Sequence, residues 1–104
     1  MDSFKDMPDD DHLWEMIASD MGLEFSTVIP KPDDVYLSSF SRSQARRYKA
    51  MPVSRRPDGV RVFTSDPLDF ECLDSMRQII GENIVPIVTR DDILKSAVDE
   101  YLDD

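Results

Sequence analysis

Four consecutive residues near the start of the chain combine the side-chain types that most often bind divalent metals. Asp9, Asp10 and Asp11 offer carboxylates, and His12 offers the only imidazole of the sequence. A metal site needs ligands that converge from several elements or follow a rigid loop such as the EF-hand, whose central glycine and final glutamate are absent here. We therefore interpret the cluster as an acidic tail in which Asp10 or Asp11 caps a helix, and we expect no metal cofactor.

The single cysteine, Cys72, excludes an intramolecular disulfide and a zinc site built on several cysteines. A nucleophilic thiol needs a neighbouring base, and His12 is the only imidazole available. No serine lies in a Gly-x-Ser-x-Gly motif, and no Gly-x-x-x-x-Gly-Lys-Ser/Thr phosphate loop is present. We predict that Cys72 is a small buried hydrophobic residue, that the chain is not an enzyme, and that it does not hydrolyse ATP.

Positive charge is concentrated in one segment of an otherwise acidic chain. The sequence carries 12 Lys+Arg against 22 Asp+Glu, a net charge of −10. Between 42 and 61 seven cations accompany one anion, so this segment carries +6 and the rest of the chain −16. Two interpretations stay open, because the cations can pair with the protein's own acidic surface or form a docking patch for an acidic protein or a phosphorylated ligand. Nucleic-acid binding is not expected, since the surrounding negative charge repels phosphates.

The docking hypothesis assigns a partner-binding role to six residues. Tight binding also needs an apolar anchor, for which Phe40 and Tyr48 are the candidates. If this patch is not the interface, the N-terminal helix around Trp14 is the next candidate. The predicted partner-binding residues are Arg42, Arg46, Arg47, Tyr48, Arg55 and Arg56.

The length of 104 residues suits one domain with one modest core. No apolar run approaches the ~20 residues that a membrane-spanning helix requires, and the acidic start lacks the apolar stretch of a signal peptide. We predict a flexible acidic tail at 1–10 and a single domain at 11–104. Within this domain a helical part, 11–49, precedes an α/β part, 50–104.

Helical spacing dominates the first part. An apolar stripe predicts a helix that ends at Gly22, and residues 23–29 are predicted as an extended connector. Two short helices follow, each opened by a residue that can cap it. The stripe consists of Leu13, Met16, Ile17 and Met21, and the caps are Asp33 or Asp34 and Ser41 or Ser43.

The second part has the pattern of β-strands. Residues 51–55 and 60–64 are predicted to form a hairpin through Pro57-Asp58-Gly59, because this tripeptide favours a tight turn. A third short strand at 84–88 contains Pro86, which favours an edge position or a bulge.

Two helices complete the α/β part. The first ends at Gly81, and the second is predicted to begin with a capping box of Thr89 and Asp92. The order predicts an α+β fold, in which N-terminal helices precede a β-β-α-β-α unit whose three-stranded sheet is covered by two helices. The residues predicted to be buried there are Leu73, Met76, Ile80, Leu94 and Val98.

Several short strings occur in the order and spacing of a known domain. They are Tyr48-Lys49-Ala50-Met51-Pro52-Val53, Val60-Arg61-Val62-Phe63-Thr64-Ser65-Asp66-Pro67-Leu68-Asp69, Leu73-Asp74-Ser75-Met76-Arg77 and Met21-Gly22-Leu23-Glu24-Phe25. Over about residues 11–103 this pattern resembles the N-terminal domain of type II secretion and type IV pilus assembly ATPases, also called the general secretion pathway protein E N-terminal or MshEN domain. Two positions differ, since Ser65 stands where the family has Ala and Glu24 where it has Pro.

The resemblance implies a mixed α/β domain without catalysis of its own. In that family ATP hydrolysis belongs to a separate RecA-like domain, so no catalytic residue is transferred to this sequence. We interpret Asp66 and Asp69 as caps that favour the positive end of the following helix, with Pro67 in its first turn.

The function implied by the resemblance is docking of a secretion or pilus motor ATPase onto the cytoplasmic domain of an inner-membrane platform protein. The chain would then be cytoplasmic, or peripheral at the inner membrane through that partner. The alternative is a regulatory domain that senses a cyclic dinucleotide, because part of the family binds cyclic di-GMP through segments that begin Arg-Leu-Gly and end Leu-x-x-x-Leu-x-x-Gln. Only Leu13 to Asp20 aligns with the end of such a segment, with Asp20 in place of Gln, and no Arg-Leu-Gly start is present. We expect no cofactor.

Overall fold

Helices and strands alternate along the chain in the computed structural model, which describes residues 11–103. The elements are α1 (Asp11–Asp20), β1 (Glu24–Phe25), α2 (Asp34–Ser39), α3 (Arg42–Tyr48), β2 (Ala50–Arg56), β3 (Gly59–Thr64), α4 (Phe70–Ile80), β4 (Ile84–Val88) and α5 (Asp91–Tyr101). In this described part, no helix has both the length and the apolar character needed to cross a membrane. The predicted tail at 1–10 lies outside the described residues.

One sheet contains the four strands found within 11–103, in the order β1-β4-β3-β2. The α+β fold class and the β-β-α-β-α order of the second part are confirmed. The sequence predicts three strands, and the fourth is β1, which lies in the segment 23–29 predicted as a connector. Its two residues pair in parallel with Ile87 and Val88. A strand of two residues is too short to show an alternating pattern in the sequence. Its position is defined by its pairing with β4.

The β2–β3 hairpin agrees with the prediction. Pro57 and Asp58 form a two-residue turn between the paired residues Arg56 and Gly59. Gly59 has a φ of 140°, and a Cβ there would lie only 2.7 Å from the carbonyl oxygen of Asn83. The tip of the hairpin is joined to the loop that leads into β4 by two hydrogen bonds, from the Val60 N–H to the Asn83 carbonyl at 2.8 Å and from Asn83 Nδ2 to the Asp58 carbonyl at 2.9 Å.

Strand β4 lies inside the sheet, parallel to β3 along its length and to β1 through its last two residues. The sequence predicts an edge or a bulge at Pro86. Pro86 pairs with Val62 of β3 on one side. It lies before Ile87 and Val88, which are the residues of β4 that pair with β1 on the other side. The missing N–H of Pro86 is therefore compatible with an otherwise internal strand.

Most of the predicted core is present. Ile80 is the exception, because it is half-buried and packs against the margin of the core. It is the last residue of α4, and Gly81 then redirects the chain with a φ of 79°. The other four predicted core residues are buried, namely Leu73, Met76, Leu94 and Val98.

Helix α1 packs on β1 and β4 but buries less of its apolar stripe than the sequence predicts. Ala18 is its fully buried residue, and Met16 is exposed. The other members of the stripe are half-buried, namely Leu13, Ile17 and Met21. Part of the stripe is therefore accessible on the surface.

The beginning of α4 differs from the prediction. The helix starts at Phe70, and its cap is Asp69, whose Oδ1 accepts a hydrogen bond of 3.1 Å from the Cys72 N–H. Asp66 and Pro67 lie in a turn before the helix, which is closed by a 3.1 Å hydrogen bond from the Asp69 N–H to the Asp66 carbonyl. The Asp-Pro pair therefore ends the preceding loop, and the second aspartate caps the helix.

The capping box predicted from Thr89 and Asp92 is not formed. Helix α5 begins at Asp91 with Arg90 in the N-cap position, and no side chain makes the cap hydrogen bond. Thr89 is fully buried, and its N–H continues the strand pairing by donating to the Thr64 carbonyl at 3.0 Å. Asp92 accepts two hydrogen bonds from the Arg90 guanidinium, and this bonding lowers the pKa of Asp92.

Candidate docking site

Helix α3 presents most of the predicted partner-binding residues, and its two ends are fixed by local structure. Ser41 and Gln44 form a complete capping box, in which Ser41 Oγ accepts from the Gln44 N–H at 3.1 Å and Gln44 Oε1 accepts from the Ser41 N–H at 2.9 Å. Lys49 ends the helix in the left-handed conformation, with a φ of 53°. The chain then enters β2 directly, so α3 has a defined direction on the domain.

Two of these residues meet one carboxylate of α5. The Arg46 Nη2 atom lies 3.0 Å from Asp99 Oδ1, and the Arg42 Nε atom lies 3.7 Å from the same oxygen. Arg42 also donates from Nη2 to the Asp99 backbone carbonyl at 3.2 Å. These contacts join α3 to α5 and show that part of the cationic segment is paired within the chain.

A groove of about 430 Å³ lies between α3 and α5. Its apolar floor is formed by Ala45, Leu94 and Val98, which are buried. Charged and polar side chains complete the lining, namely Arg46, Lys49, Ser65, Asp91, Lys95 and Asp99. We call this feature the α3–α5 groove.

The cations of the α3–α5 groove are each paired with a nearby carboxylate. Lys49 Nζ lies 3.2 Å from Asp66 Oδ2, and Lys95 Nζ lies 2.9 Å from Asp91 Oδ2. The hydrogen bond that Lys49 donates to Asp66 raises the pKa of Lys49, and the one that Lys95 donates to Asp91 raises the pKa of Lys95, so both remain charged at neutral pH. Since all four side chains are more than a third exposed, each pair adds little to stability and its carboxylate can be exchanged.

Arg47 and Tyr48 form a second feature at the end of α3. The Arg47 guanidinium carbon lies 5.5 Å from the centre of the Tyr48 ring, within the range of a cation–π interaction. Tyr48 is half-buried against the core, whereas Arg47 is exposed. Phe40, the other predicted anchor, is buried in the core and is not accessible to a partner.

The remaining two predicted residues, Arg55 and Arg56, lie at the tip of the β2–β3 hairpin. Arg55 Nε donates to Glu82 Oε1 at 2.7 Å, and this bond raises the pKa of Arg55. Arg56 is exposed and makes no ion pair with any described residue. Five residues of β2, 50–54, separate Arg55 from the end of α3, a distance of roughly 17 Å along a strand. The six residues therefore form two groups at opposite ends of β2.

A second groove, of about 460 Å³, is not among the sites predicted from the sequence. It lies beside α4 and the end of α1, next to the exposed side chains of Leu68 and Phe70. The sequence signal was present, because Leu68 and Phe70 flank the cap Asp69 and lie outside the apolar stripe of α4. The groove is lined by Met21, Leu23, Pro67, Phe70, Leu73, Asp74, Arg77 and Pro86. We call it the α1–α4 groove.

Among the described residues, those considered for catalysis and metal binding do not form a metal site. Asp11 pairs with Arg90 at 2.7 Å, and Asp9 and Asp10 lie outside the described residues. Cys72 is half-buried rather than fully buried, and burial together with the Asp69 carboxylate raises the pKa of its thiol. Between 11 and 103, no group of three or more His, Cys, Asp or Glu side chains is arranged to hold a metal ion.

Known structures share this architecture. The structure of MshE with cdg has a TM-score of 0.73 at 20% sequence identity, and the match covers 86% of this chain and 66% of that one. The N-terminal domain of XpsE, in one crystal form, has a TM-score of 0.68 at 17% identity, covering 85% of this chain and 63% of that one. A second crystal form of XpsE gives 0.73 at 18% identity, with the same coverage. The chain thus spans about two thirds of the length of these proteins.

No curated protein sequence matches the chain. The family model of the MshEN domain matches residues 23–104, which include every strand and all helices described above except α1. The family resemblance expected from the sequence strings is therefore confirmed. This chain belongs to the MshEN domain family, the N-terminal domains of type II secretion and type IV pilus ATPases.

Proposed function

We propose that this domain docks a secretion or pilus motor ATPase onto the cytoplasmic domain of an inner-membrane platform protein, and that the α3–α5 groove is the contact site. The observation that carries the proposal is an apolar floor of Ala45, Leu94 and Val98 with exposed cations at its margin. Such a site suits a partner that offers an apolar side chain flanked by carboxylates. On this proposal the domain acts in the cytoplasm and reaches the membrane through its partner.

The charges of the site favour an acidic partner. Arg46 is already paired with Asp99, but both side chains are more than half exposed, so a carboxylate of the partner can take the place of Asp99. Arg47 follows Arg46 in α3, is exposed and has no carboxylate partner among the described residues. Clustered cations of this kind raise the rate of encounter and select among partners, while the apolar floor supplies affinity.

The domain itself is proposed to be non-catalytic. The sequence contains no phosphate loop, and between 11 and 103 no group of three or more His, Cys, Asp or Glu side chains is arranged to hold a metal ion. Hydrolysis of ATP would then belong to the other part of a longer ATPase, with this domain as its attachment point.

The test is a double charge reversal, Arg46→Glu with Arg47→Glu. Binding to the purified cytoplasmic domain of a platform protein is measured by calorimetry at several salt concentrations. We expect the affinity to fall by about tenfold or more and its salt dependence to flatten, because attraction is replaced by repulsion. The thermal midpoint is expected to change little, since the lost Arg46–Asp99 pair is exposed.

A matched control separates a local effect from a change in overall charge. Lys31→Glu with Arg77→Glu changes the net charge by the same amount at exposed positions outside the α3–α5 groove. We expect this variant to bind nearly as the wild type does. Equal weakening by both double variants, or unchanged binding of the α3 variant, would contradict the proposed site.

The alternative function is sensing of a cyclic dinucleotide, and the likeness to MshE with cdg is the observation that favours it. At 20% sequence identity, this similarity concerns the fold alone. Asp20 stands where the binding segment of such domains ends in Gln, which supports docking over sensing. Titration of the chain with cyclic di-GMP in a calorimeter decides between docking and sensing. Docking alone predicts no saturable heat, whereas stoichiometric binding would favour the sensing function.

A further inference from the structure

The α1–α4 groove has the features of a second docking surface, separate from the α3–α5 groove. The two grooves share no lining residue. We propose that the α1–α4 groove binds a basic amphipathic helix of a partner protein. The inference does not depend on the function proposed for the α3–α5 groove.

Large apolar side chains are exposed at the start of α4, beside the groove. Phe70 is 66% exposed and Leu68 is 62% exposed, at the start of α4 beside the groove. Met21 and Leu23 form the opposite side, and both are half-buried. Side chains of this size in one exposed patch are typical of surfaces that a partner covers.

Acidic side chains are frequent in the two segments that line the groove from α1 and α4. Residues 11–25 carry four carboxylates and no Lys or Arg, and residues 65–80 carry four carboxylates and one Arg. Five of these eight carboxylates pair with cations of the chain, among them Asp74 with Arg77 of the groove lining. Glu15, Asp20 and Glu71 are exposed and make no ion pair with any described residue. A partner with lysines and arginines around an apolar stripe is therefore electrostatically complementary.

The edge of the sheet favours a helix over an added strand. The Ser26 N–H donates to the Val88 carbonyl at 3.0 Å, so that carbonyl points towards the side of β4 on which β1 lies. The backbone groups of a strand alternate between its two sides, so those of Pro86, two residues before Val88, face the same side as the Val88 carbonyl. Pro86 also lines the groove. Because proline has no N–H, it interrupts the hydrogen-bond ladder that an added strand needs. Side chains of a helix, spaced three and four residues apart, can fill the groove without that ladder.

The experiment uses two synthetic peptides of about 18 residues with identical composition. In the first, leucines follow helical spacing on one face and lysines occupy the other, and in the second the same residues are shuffled so that no apolar face exists. Binding of each labelled peptide to the 104-residue chain is followed by fluorescence anisotropy. We expect saturable binding of the amphipathic peptide and at least about tenfold weaker binding of the shuffled one. Equal binding of both would overturn the proposal, because it would show attraction by charge alone.

Phe70→Asp locates the binding site. This variant makes the domain more negative, which strengthens unspecific attraction of a basic peptide, so a loss of about tenfold in affinity would identify apolar contact at the groove. Ile79→Asp is the matched control, since Ile79 is also exposed and lies nine residues further along α4, about two and a half turns away on the opposite face. Binding unaffected by Phe70→Asp, or weakened equally by both variants, would overturn the proposal.

Glu71→Lys tests the electrostatic contribution separately from the apolar one. Glu71 is exposed in the first turn of α4 and lies next to Phe70. We expect this variant to weaken the amphipathic peptide and to flatten the dependence of its binding on salt. Salt dependence identical to that of the wild type would contradict the assignment of a basic partner.

Discussion

Arg46 of α3 and Asp99 of α5 lie 3.0 Å apart across the mouth of the α3–α5 groove. Their positions in the chain are 53 residues apart, so the fold alone brings them together. Both side chains are more than half exposed. The pair therefore holds the Arg46 guanidinium at the groove by a bond that an incoming carboxylate can replace.

Removal of the Asp99 carboxylate should strengthen partner binding. Asp99→Asn leaves Arg46 without its competing anion, so the affinity for an acidic platform domain is expected to rise by a few-fold, about 0.5–1 kcal/mol. Unfolding free energy in urea should change by less than about 1 kcal/mol, because the pair is exposed. Glu100→Gln removes the same charge from a neighbouring exposed position and should leave affinity nearly unchanged. Equal gains in both variants would indicate a general charge effect.

Capping by Asp69 should make stability depend on pH. Its hydrogen bond with the Cys72 N–H is the main cause that lowers the pKa of Asp69 below the ordinary value of 3.8. The stabilisation is therefore fully present above pH 3.8 and is lost as the pH falls through the lower pKa of the folded state. Asp69→Ala should lower the urea midpoint at pH 7, and its difference from the wild type should shrink in acid.

Two variants serve as controls for the cap. Asp69→Asn keeps an acceptor for the Cys72 N–H but cannot titrate, so it should retain more stability than Asp69→Ala at pH 7. Asp66→Ala should affect α4 less, because Asp66 lies before the helix and contacts Lys49. If Asp66→Ala destabilised the domain more than Asp69→Ala did, the assignment of the cap would be wrong.

Core truncation should distinguish buried from marginal positions. Leu94 is 3% exposed, so Leu94→Ala is expected to cost about 2–5 kcal/mol of unfolding free energy. Ile80 is half-buried at the end of α4, and Ile80→Ala should cost about 1–2 kcal/mol. Urea unfolding measures both, and a larger loss at Ile80 than at Leu94 would contradict the described packing.

The tip of the hairpin should tolerate no side chain at Gly59. A Cβ there would meet the Asn83 carbonyl oxygen at 2.7 Å, and a backbone atom cannot move aside as a flexible side chain does. Gly81 also has a positive φ, of 79°, but open space around it. Gly81→Ala should cost about 1 kcal/mol from backbone strain alone, and Gly59→Ala at least about 1 kcal/mol more. Equal thermal midpoints for the two variants would contradict the close contact.

The sequence predicts those elements whose causes are local. The hairpin turn follows from Pro57-Asp58-Gly59, and the sequence restricts the cap of α3 to Ser41 or Ser43, of which Ser41 is the one used. At α4 two candidate caps precede the helix, and choosing between Asp66 and Asp69 requires the turn that closes between them. The local sequence restricts the cap of α4 to two residues, and the packing of the chain selects one of them.

Features that depend on distant residues are not predictable in this way. Strand β1 has two residues and is defined by its pairing with Ile87 and Val88. The two groups of the cationic segment, near Arg46 and near Arg55, are separated by the length of β2, although their sequence distance is short. The composition predicts a concentration of positive charge, but the carboxylates that pair with these cations come from several distant elements, including β1, α5 and the loop after α4.

The most direct test of the docking proposal is a map of the contact surface. Amide chemical shifts of the isotope-labelled chain are followed by NMR while the unlabelled cytoplasmic domain of a platform protein is added. The account predicts that the largest changes fall on 42–49 and 91–99, the two helices that border the α3–α5 groove. Changes centred on Met21 and Phe70, or no changes at saturating concentrations of the platform domain, would contradict it.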